Sequence, residues 1–573
     1  MNMHPLTGID SGAPRIMAIL LAALQALASP LTAQAAEPVV PGAGTILRQV
    51  QPVTPPVPSS SGTGLAIEQE GGGKLPPSAP FRVKTFQITG NTLFDTPTLH
   101  ALVADAEGTS LTFAQLNERV ARITGYYRSN GYPLARAILP AQTVQSGVVR
   151  IEVIEARYSK VRLENSSRVD GSLFEATLSP VKKGQSIGQT ALDHSLLLLS
   201  DIPGVAVTAT LKPGEDLGTS ELLVNVALGP AIEGNVVLDN YGNRYTGEAH
   251  IGGTVNFNNP LHHGDVLSAS ALSSGSGLNY GSLAYNSLLN GQGTRMGGSY
   301  SALHYRLGGS LDLLDAHGTA QVASVWTMHP FVRSREVNVY GLVHYDRLQL
   351  RDRIDSSGIR TDRHLGNARM SLSGDVHDRL MSNAISTWNV GWTWGRVSFD
   401  DEAAQSADAA SASTQGRFSK WTVSLSRLQE LTAADSLYLA FSGQWANGNL
   451  DASEKMAAGG PYTVRGYDMG AISSDSGYQG TVELRHDIDF AWMNQDQYQA
   501  VLFVDSAHLT LNETPWVAGT NSATVSGAGV GVHWAGTNQW TARMYVATRI
   551  GSTPELVARN AFTRAWAEIS KGF

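Results

Sequence analysis

The sequence predicts two small α+β modules followed by an all-β transmembrane barrel of about 16 antiparallel strands. Three observations predict it. Charged residues are only 16% of the 573, while glycine numbers 59 and tyrosine and tryptophan are plentiful. No apolar run is long enough to cross a bilayer as a helix. From about Asn235 to the end, short segments alternate apolar and polar residues between turn-rich stretches, as strands with lipid on one face and water on the other must.

The composition also excludes. A hydrophobic content of 42% is ample for burial, so the chain is not disordered. A net charge of −8 argues against nucleic acid as a partner. With no cysteine, thiolate catalysis, Cys-zinc sites and iron–sulfur clusters are ruled out together.

Residues 1–35 read as an export signal. Arg15 gives the positive flank, 16–28 the apolar core, and Ala33-Gln34-Ala35 a small-x-small cleavage site, so the mature chain starts near Ala36. Residues 36–80 are a linker, because the runs 54–58 and 71–73 of proline and glycine cannot build a core. Within it, Thr45 to Gln51 reads as a short helix on a tether.

The first module covers 81–157. Val83, Phe86 and Ile88 open a strand that ends in the turn Gly90-Asn91. Thr112 and Gln115 have capping-box spacing, and Leu116, Val120, Ile123 and Tyr127 then share one helical face up to Asn130-Gly131. Leu134 to Leu139 reads as a second strand. Val149, Ile151 and Val153, alternating with Arg150 and Glu152, make a half-buried third. A weaker copy covers 158–230, with strands at 161–163, 205–211 and 222–226 and a helix at 191–199. Tandem copies imply a repeated binding unit rather than one large enzyme domain.

The barrel is expected over 231–573. Val337, Val339, Gly341, Val343 and Tyr345 alternate with Asn338, Tyr340 and His344. Trp388, Val390, Trp392 and Trp394 alternate with Thr387, Asn389 and Thr393; Leu437, Leu439, Phe441 and Trp445 mark another strand. One face is apolar and the other small or polar, and inside a membrane such strands must close. Ile569, Ala567 and Ala565 share one side of a last strand that ends on Phe573.

The most specific segment runs Leu450-Asp451-Ala452-Ser453-Glu454-Lys455, then Gly459-Gly460-Pro461-Tyr462-Thr463-Val464-Arg465-Gly466-Tyr467. It resembles the outer-membrane transporters of two-partner secretion, the haemolysin-activator and filamentous-haemagglutinin exporter type, which share a superfamily with the assembly protein BamA. Residues 238–247 resemble that family's first barrel strand, and Asn259-Pro260 with Gly264-Asp265 its first hairpin turn. The resemblance implies that the two modules are periplasmic POTRA domains, that the segment at Thr45 is a plug helix, and that Val464, Arg465, Gly466 and Tyr467 tip a long loop folded back into the barrel.

It also implies partners for Arg465 on the inner wall. The matching carboxylates are Asp505 and Glu483. A desolvated arginine needs such partners, and its planar fork favours a bidentate grip. Gly466 is expected to allow a tight approach where a Cβ would clash, and Tyr467 to pack the tip against the wall.

Other motifs carry no chemistry. Gly184-Gln185-Ser186-Ile187-Gly188, near Asp193-His194, matches a nucleophile elbow but follows a turn rather than a central strand. His262-His263 are neighbours on extended chain and chelate poorly. The run 527–531 has no βαβ unit around it and reads as small residues making room for the folded-in loop. No Walker A motif is present.

The expected function is therefore that of an outer-membrane pore, not an enzyme, with no cofactor or metal. The modules capture an unfolded partner exoprotein of haemolysin or adhesin type by β-augmentation, and it threads the lumen. Val205, Val207, Ala209 and Leu211 mark the expected capturing edge. Outer-membrane lipid and, during biogenesis, the barrel assembly machinery are further implied partners. The alternative is a BamA-like assembly factor, which would carry more such modules.

Overall fold

The computed structural model describes residues 40–51, 59–60, 62–67, 78–144, 146–489, 496–557 and 561–573. The expected signal at 1–35 and the linker runs 54–58 and 71–73 lie outside them.

Helix α1 (Ala43–Val50) is followed by strand β1 (Leu65–Ile67). The first module then comprises β2 (Phe81–Arg82), β3 (Thr85–Thr89), α2 (Thr96–Ala101), β4 (Ser110–Leu111), α3 (Phe113–Ser129), β5 (Arg136–Ile138) and β6 (Val148–Ile154). Its sheet has the order β3-β6-β5. Thr112 and Gln115 form both bonds of the capping box, and Leu116, Val120, Ile123 and Tyr127 are all buried. Asn130 closes the helix and Gly131, at φ +84°, takes the left-handed position after it. Helix α2 was not foreseen, although Asp95 caps it and Pro97 lies in its first turn.

The second module comprises β7 (Arg157–Asn165), α4 (Gly171–Thr177), α5 (Gln189–Ser200), β8 (Val205–Pro213) and β9 (Thr219–Leu228). Its sheet order is β1-β8-β9-β7. The expected open edge is therefore taken: β1 pairs in parallel with β8, Leu65 opposite Ala209 and Ile67 opposite Leu211, and the Ala209 amide donates to the Gly64 carbonyl at 3.0 Å. The reason is that an unpaired strand edge binds any extended chain within reach, and the linker is tethered beside it. Ala209 and Leu211 point into the module core, so only their backbone is available for pairing.

The remaining strands form a closed antiparallel barrel in which neighbours in sequence are neighbours in space. In order they are β10 (Ile232–Asp239), β11 (His250–Asn258), β12 (Val266–Ser273), β13 (Leu278–Leu288), β14 (Arg295–Arg306), β15 (Ala316–Arg333), β16 (Val337–Ile354), β17 (Ile359–Asp378) and β18 (Ala384–Phe399). After helix α6 (Glu402–Ala409) come β19 (Gly416–Glu430) and β20 (Asp435–Ala446). A small hairpin, β21 (Met456–Ala458) with β22 (Ile472–Ser474), stands apart from the wall. The wall resumes with β23 (Ser476–Ile488), β24 (Gln497–Thr510), β25 (Ser522–Ala535), β26 (Trp540–Ile550) and β27 (Thr563–Gly572), which pairs back onto β10.

The alternation behaves as the two-solvent argument requires. Val343, Tyr345, Val390 and Trp392 face outward, while Asn338, Thr387 and Thr393 are buried inside. Two details differ from expectation. The first barrel strand lies before residues 240–247, which form the following loop, and the Asn259–Asp265 turn joins the second and third strands. Pairing with β11 ends at Asp239, where Gly242 turns back to donate to the Glu248 carbonyl, while on the β27 side the Asn240 backbone amide adds one last bond, to the Ala567 carbonyl at 3.1 Å. The turn itself packs on the second module: Asn259 donates to the Pro203 carbonyl and Asp170 to that of His262.

Two arginines of the β15–β16 turn fasten that module to the barrel mouth. Arg333, fully buried at its side chain, grips Asp201 bidentately at 2.7 and 2.8 Å, and Arg335 reaches Asp193 at 2.6 Å. Arg333 also holds Asn338, which donates to Asp375, and Asp375 accepts from both the amide and hydroxyl of Ser59. The linker is thus pinned where it leaves the mouth.

Candidate functional site

The lumen is filled by two segments of the chain itself. Helix α1 enters it with Ile46 and Leu47 buried against Leu303, Tyr305, Leu348, Leu350, Leu365 and Phe418. Burying two such side chains stabilises the helix there by at most about 3–6 kcal/mol. This apolar inner patch corrects the expectation of a uniformly small or polar inner face. Water cannot reach a wall that a plug covers, so apolar residues are favoured there.

Charges fix the register of α1. Asp352 of β16 accepts the Ala43 amide at the helix N-terminus at 2.6 Å, and the Tyr305 hydroxyl at the same distance. A carboxylate is favoured at that end by the orphan amides and the helix dipole. Asp352 is in turn paired with Arg363 at 2.7 Å, and Arg363 with Asp451 at 2.5 Å. Asp451 begins the second filling segment. There Glu454 pairs with Lys420 at 2.8 Å and accepts from Asn367 at 2.6 Å, and Lys455 pairs with Asp475 at 2.6 Å. Helix and loop also touch directly: a Cβ on Gly44 would lie 2.6 Å from the Ser453 amide nitrogen, so no other residue fits there without displacement.

The loop carrying Val464, Arg465, Gly466 and Tyr467 is folded into the barrel. Arg465 donates from Nε and Nη2 to the two Asp505 oxygens at 2.8 and 2.7 Å, and from Nη1 to Glu483 at 2.7 Å. Its own amide donates to Asp505 as well, at 3.1 Å. Both expected partners are therefore brought together with it. Asp505 is fully buried and held by Thr481, while Glu483 is shared with Arg485 at 2.6 Å. Val464 and Tyr467 are fully buried against Ala507, Leu509 and Val525 of the wall.

Gly466 serves close approach. A Cβ on it would stand 3.0 Å from the Arg549 nitrogen and the Thr548 carbonyl, and one on Gly527 would stand 3.0 Å from the Gly466 nitrogen. Of the run 527–531, Gly527 makes room for the loop, whereas Gly529 and Gly531 are close against the neighbouring wall strand.

Two features of this site were missed. The guanidinium lies on the Phe503 ring, 3.4 Å from its centroid, and 5.0 Å from that of Tyr545. Phe503 is two residues from Asp505 and so shares its face, a signal present in the strand. The Trp566 indole donates to the Arg465 carbonyl at 2.8 Å. Trp566 alternates with outward-facing Ala565 and Ala567, which places an aromatic ring in the lumen. Elsewhere, Ser186 sits in the loop before α5 and His262 in a turn, and no cluster of metal-binding side chains occurs among the described residues.

A closed barrel with α+β modules at one mouth, its lumen blocked by a helix and an inserted loop, defines the class of outer-membrane polypeptide transporters. Residues 218–534 match the family model described as haemolysin secretion/activation protein ShlB/FhaC/HecB, and residues 81–156 match the POTRA domain, ShlB-type. The chain belongs to the ShlB/FhaC/HecB family and is an outer-membrane transporter of two-partner secretion, with a POTRA domain at 81–156 on the periplasmic side.

It is 27% identical over 382 residues, 66% of this chain and 67% of the other, to the heme/hemopexin transporter protein HuxB of Haemophilus influenzae strain 86-028NP. It is 23% identical over 443 residues, 73% of each chain, to the outer membrane transporter CdiB of Escherichia coli. The solved structure of CdiB from Escherichia coli superposes with a TM-score of 0.69 at 20% identity, covering 90% of this chain and 94% of that one. BamA from Haemophilus ducreyi lacking POTRA domains 1–3 superposes at 0.51 and 13% identity, covering 86% of this chain and all of that one.

Proposed function

We propose that both α+β modules act as POTRA domains that capture an unfolded exoprotein in the periplasm, and that it is exported through the lumen once α1 and the inner loop yield. The carrying observation is how the lumen is blocked. Both obstructions are detachable segments held by side-chain bonds and packing, not strands of the wall. The energy needed to move them is that of a few buried pairs, which a long cargo chain can supply by binding.

Capture uses the edge of β8. The linker strand β1 now pairs there, so cargo competes with it for the backbone of Ala209 and Leu211. Val205 lies beyond the β1 ladder and offers the first foothold, whereas Gly64 already lies against the Val207 carbonyl. The relatives' names, a heme/hemopexin transporter and a hemolysin transporter among them, support a large secreted protein as cargo.

The test is secretion of a co-expressed cargo candidate with and without this protein, beside a variant lacking 81–157. Cargo should appear outside only with the intact chain. Normal export by the deletion, with the barrel still inserted, would overturn capture by the modules.

A further inference from the structure

The barrel wall has one weak joint. Between most neighbours the backbone ladder is long: β16 and β17 pair over their whole length in common, from Val337 opposite Val376 to Ile354 opposite Ile359. Between β10 and β27 it runs only from Asn235 opposite Gly572 to Asp239 opposite Glu568, with Gly234 and Phe573 bonded below it and a single backbone bond above it, from the Asn240 amide to the Ala567 carbonyl at 3.1 Å. Strand β27 continues outward beyond that point while β10 has ended. Beyond it a side chain carries the joint: the Asn240 carboxamide donates to the Ala565 carbonyl at 3.0 Å and accepts from the Ala567 backbone amide at 2.8 Å.

The inner loop completes this joint from inside. The Trp566 indole of β27 donates to the Arg465 carbonyl at the loop tip. Tyr241, just past β10, lies edge-on to Trp566 at 6.0 Å and to Tyr462 of the loop at 5.6 Å. Three residues beyond the tip, Asp468 is ion-paired with Arg564 of β27 and lies 3.7 Å from Arg244, which follows β10. Asn243 also reaches the Met469 carbonyl, at 3.5 Å. One loop therefore bonds to both sides of the same seam.

We infer that the loop segment from Arg465 to Asp468 clasps the barrel seam between β27 and β10, with Trp566 and Asp468 as the residues that position it. Inside a membrane every strand edge has to be paired, so the shortest ladder opens first when support is withdrawn. The arginine lock sets where the loop lies, and Trp566 and Asp468 pass that position to the two strands. Seam closure and loop insertion are then one cooperative event. The inference concerns the resting barrel and does not rest on cargo capture.

Hydrogen exchange of the full chain in outer-membrane vesicles tests it, since exchange reports local opening strand by strand. In Trp566→Phe, which keeps the packing and drops the bond, and in Asp468→Asn, amides of 232–240 and 563–573 should exchange about tenfold faster. Amides of β16 and β17 should be unchanged, and Asp468→Glu should restore most of the protection. Unchanged exchange at the seam in Trp566→Phe overturns the inference. So does an equal rise around the whole barrel, which would mean that the loop stabilises the wall in general.

Discussion

Asp352 accepts the Ala43 amide at 2.6 Å while pairing with Arg363 at 2.7 Å, so one carboxylate holds the plug helix and, through Arg363 and Asp451, the base of the inner loop. Helix and loop therefore share an anchor. Asp352→Ala should release the helix N-terminus at a cost of about 1–2 kcal/mol, the usual weight of a lost cap. Single-channel recording in planar bilayers should show the open fraction rise about tenfold. An unaltered trace would mean that packing alone seats the helix.

Arg465→Ala should have a larger effect on the loop. It leaves Asp505 buried without its cationic partner, while Glu483 keeps only Arg485, at a cost of about 3–5 kcal/mol. Arg465→Lys should recover little, because one ammonium cannot grip both Asp505 oxygens, reach Glu483 and lie flat on Phe503. Export and channel noise measured on both variants check this. Full export by the lysine variant would show that charge, not fork geometry, holds the tip.

Gly527→Val should act on the same loop without touching a charge. Its side chain would enter the space of the Gly466 backbone, and overpacking of this kind costs about 1–3 kcal/mol. Protease sensitivity of the loop from outside the cell should rise while the barrel stays assembled.

Removing the strand that covers β8 should favour capture. Ala66→Pro takes a donor and the ladder geometry out of β1, which pairs only three residues of β8. Cargo segments should bind such a full-length variant more tightly, by several-fold or more, as measured by fluorescence titration. Equal affinity would place the capturing edge elsewhere.

How far the sequence could be read follows from what each element answers to. Helix α3 and strand β6 are decided by local periodicity and a capping box, and both were legible. The pairing of Arg465 with Asp505 and Glu483 was legible only through a resemblance, since residues 40 and 18 positions apart share no local pattern. The β1–β8 pairing was not legible, because three residues in a linker carry no strand signal until a neighbouring edge selects them. The apolar inner patch around Leu348 and Leu350 was hidden for a similar reason. Alternation tells two faces apart, but it does not say that a distant helix will cover one of them.

The junction between the two modules should be sensitive to acid. Glu155 is buried there. Its carboxylate accepts from the amides of Thr92 and Leu93 at 2.7 and 2.8 Å, from the Thr92 hydroxyl, and from the Tyr127 hydroxyl at 2.7 Å. Burial works against the charge, but these donors outweigh it and hold the carboxyl below the usual glutamate range; the same burial and the adjacent carboxylate push the Tyr127 hydroxyl up. A depressed folded value means that the ionised group adds stability above the unfolded pKa of about 4.3 and loses it as pH falls through the folded one. Protection of amides 148–157 against hydrogen exchange, corrected for intrinsic rates, should therefore be flat from neutral pH to about 5 and fall below about 4. Glu155→Gln should lower protection at neutral pH by about 1–3 kcal/mol and remove this group's share of the acid dependence. An acid profile identical in the variant would assign the loss to other carboxylates.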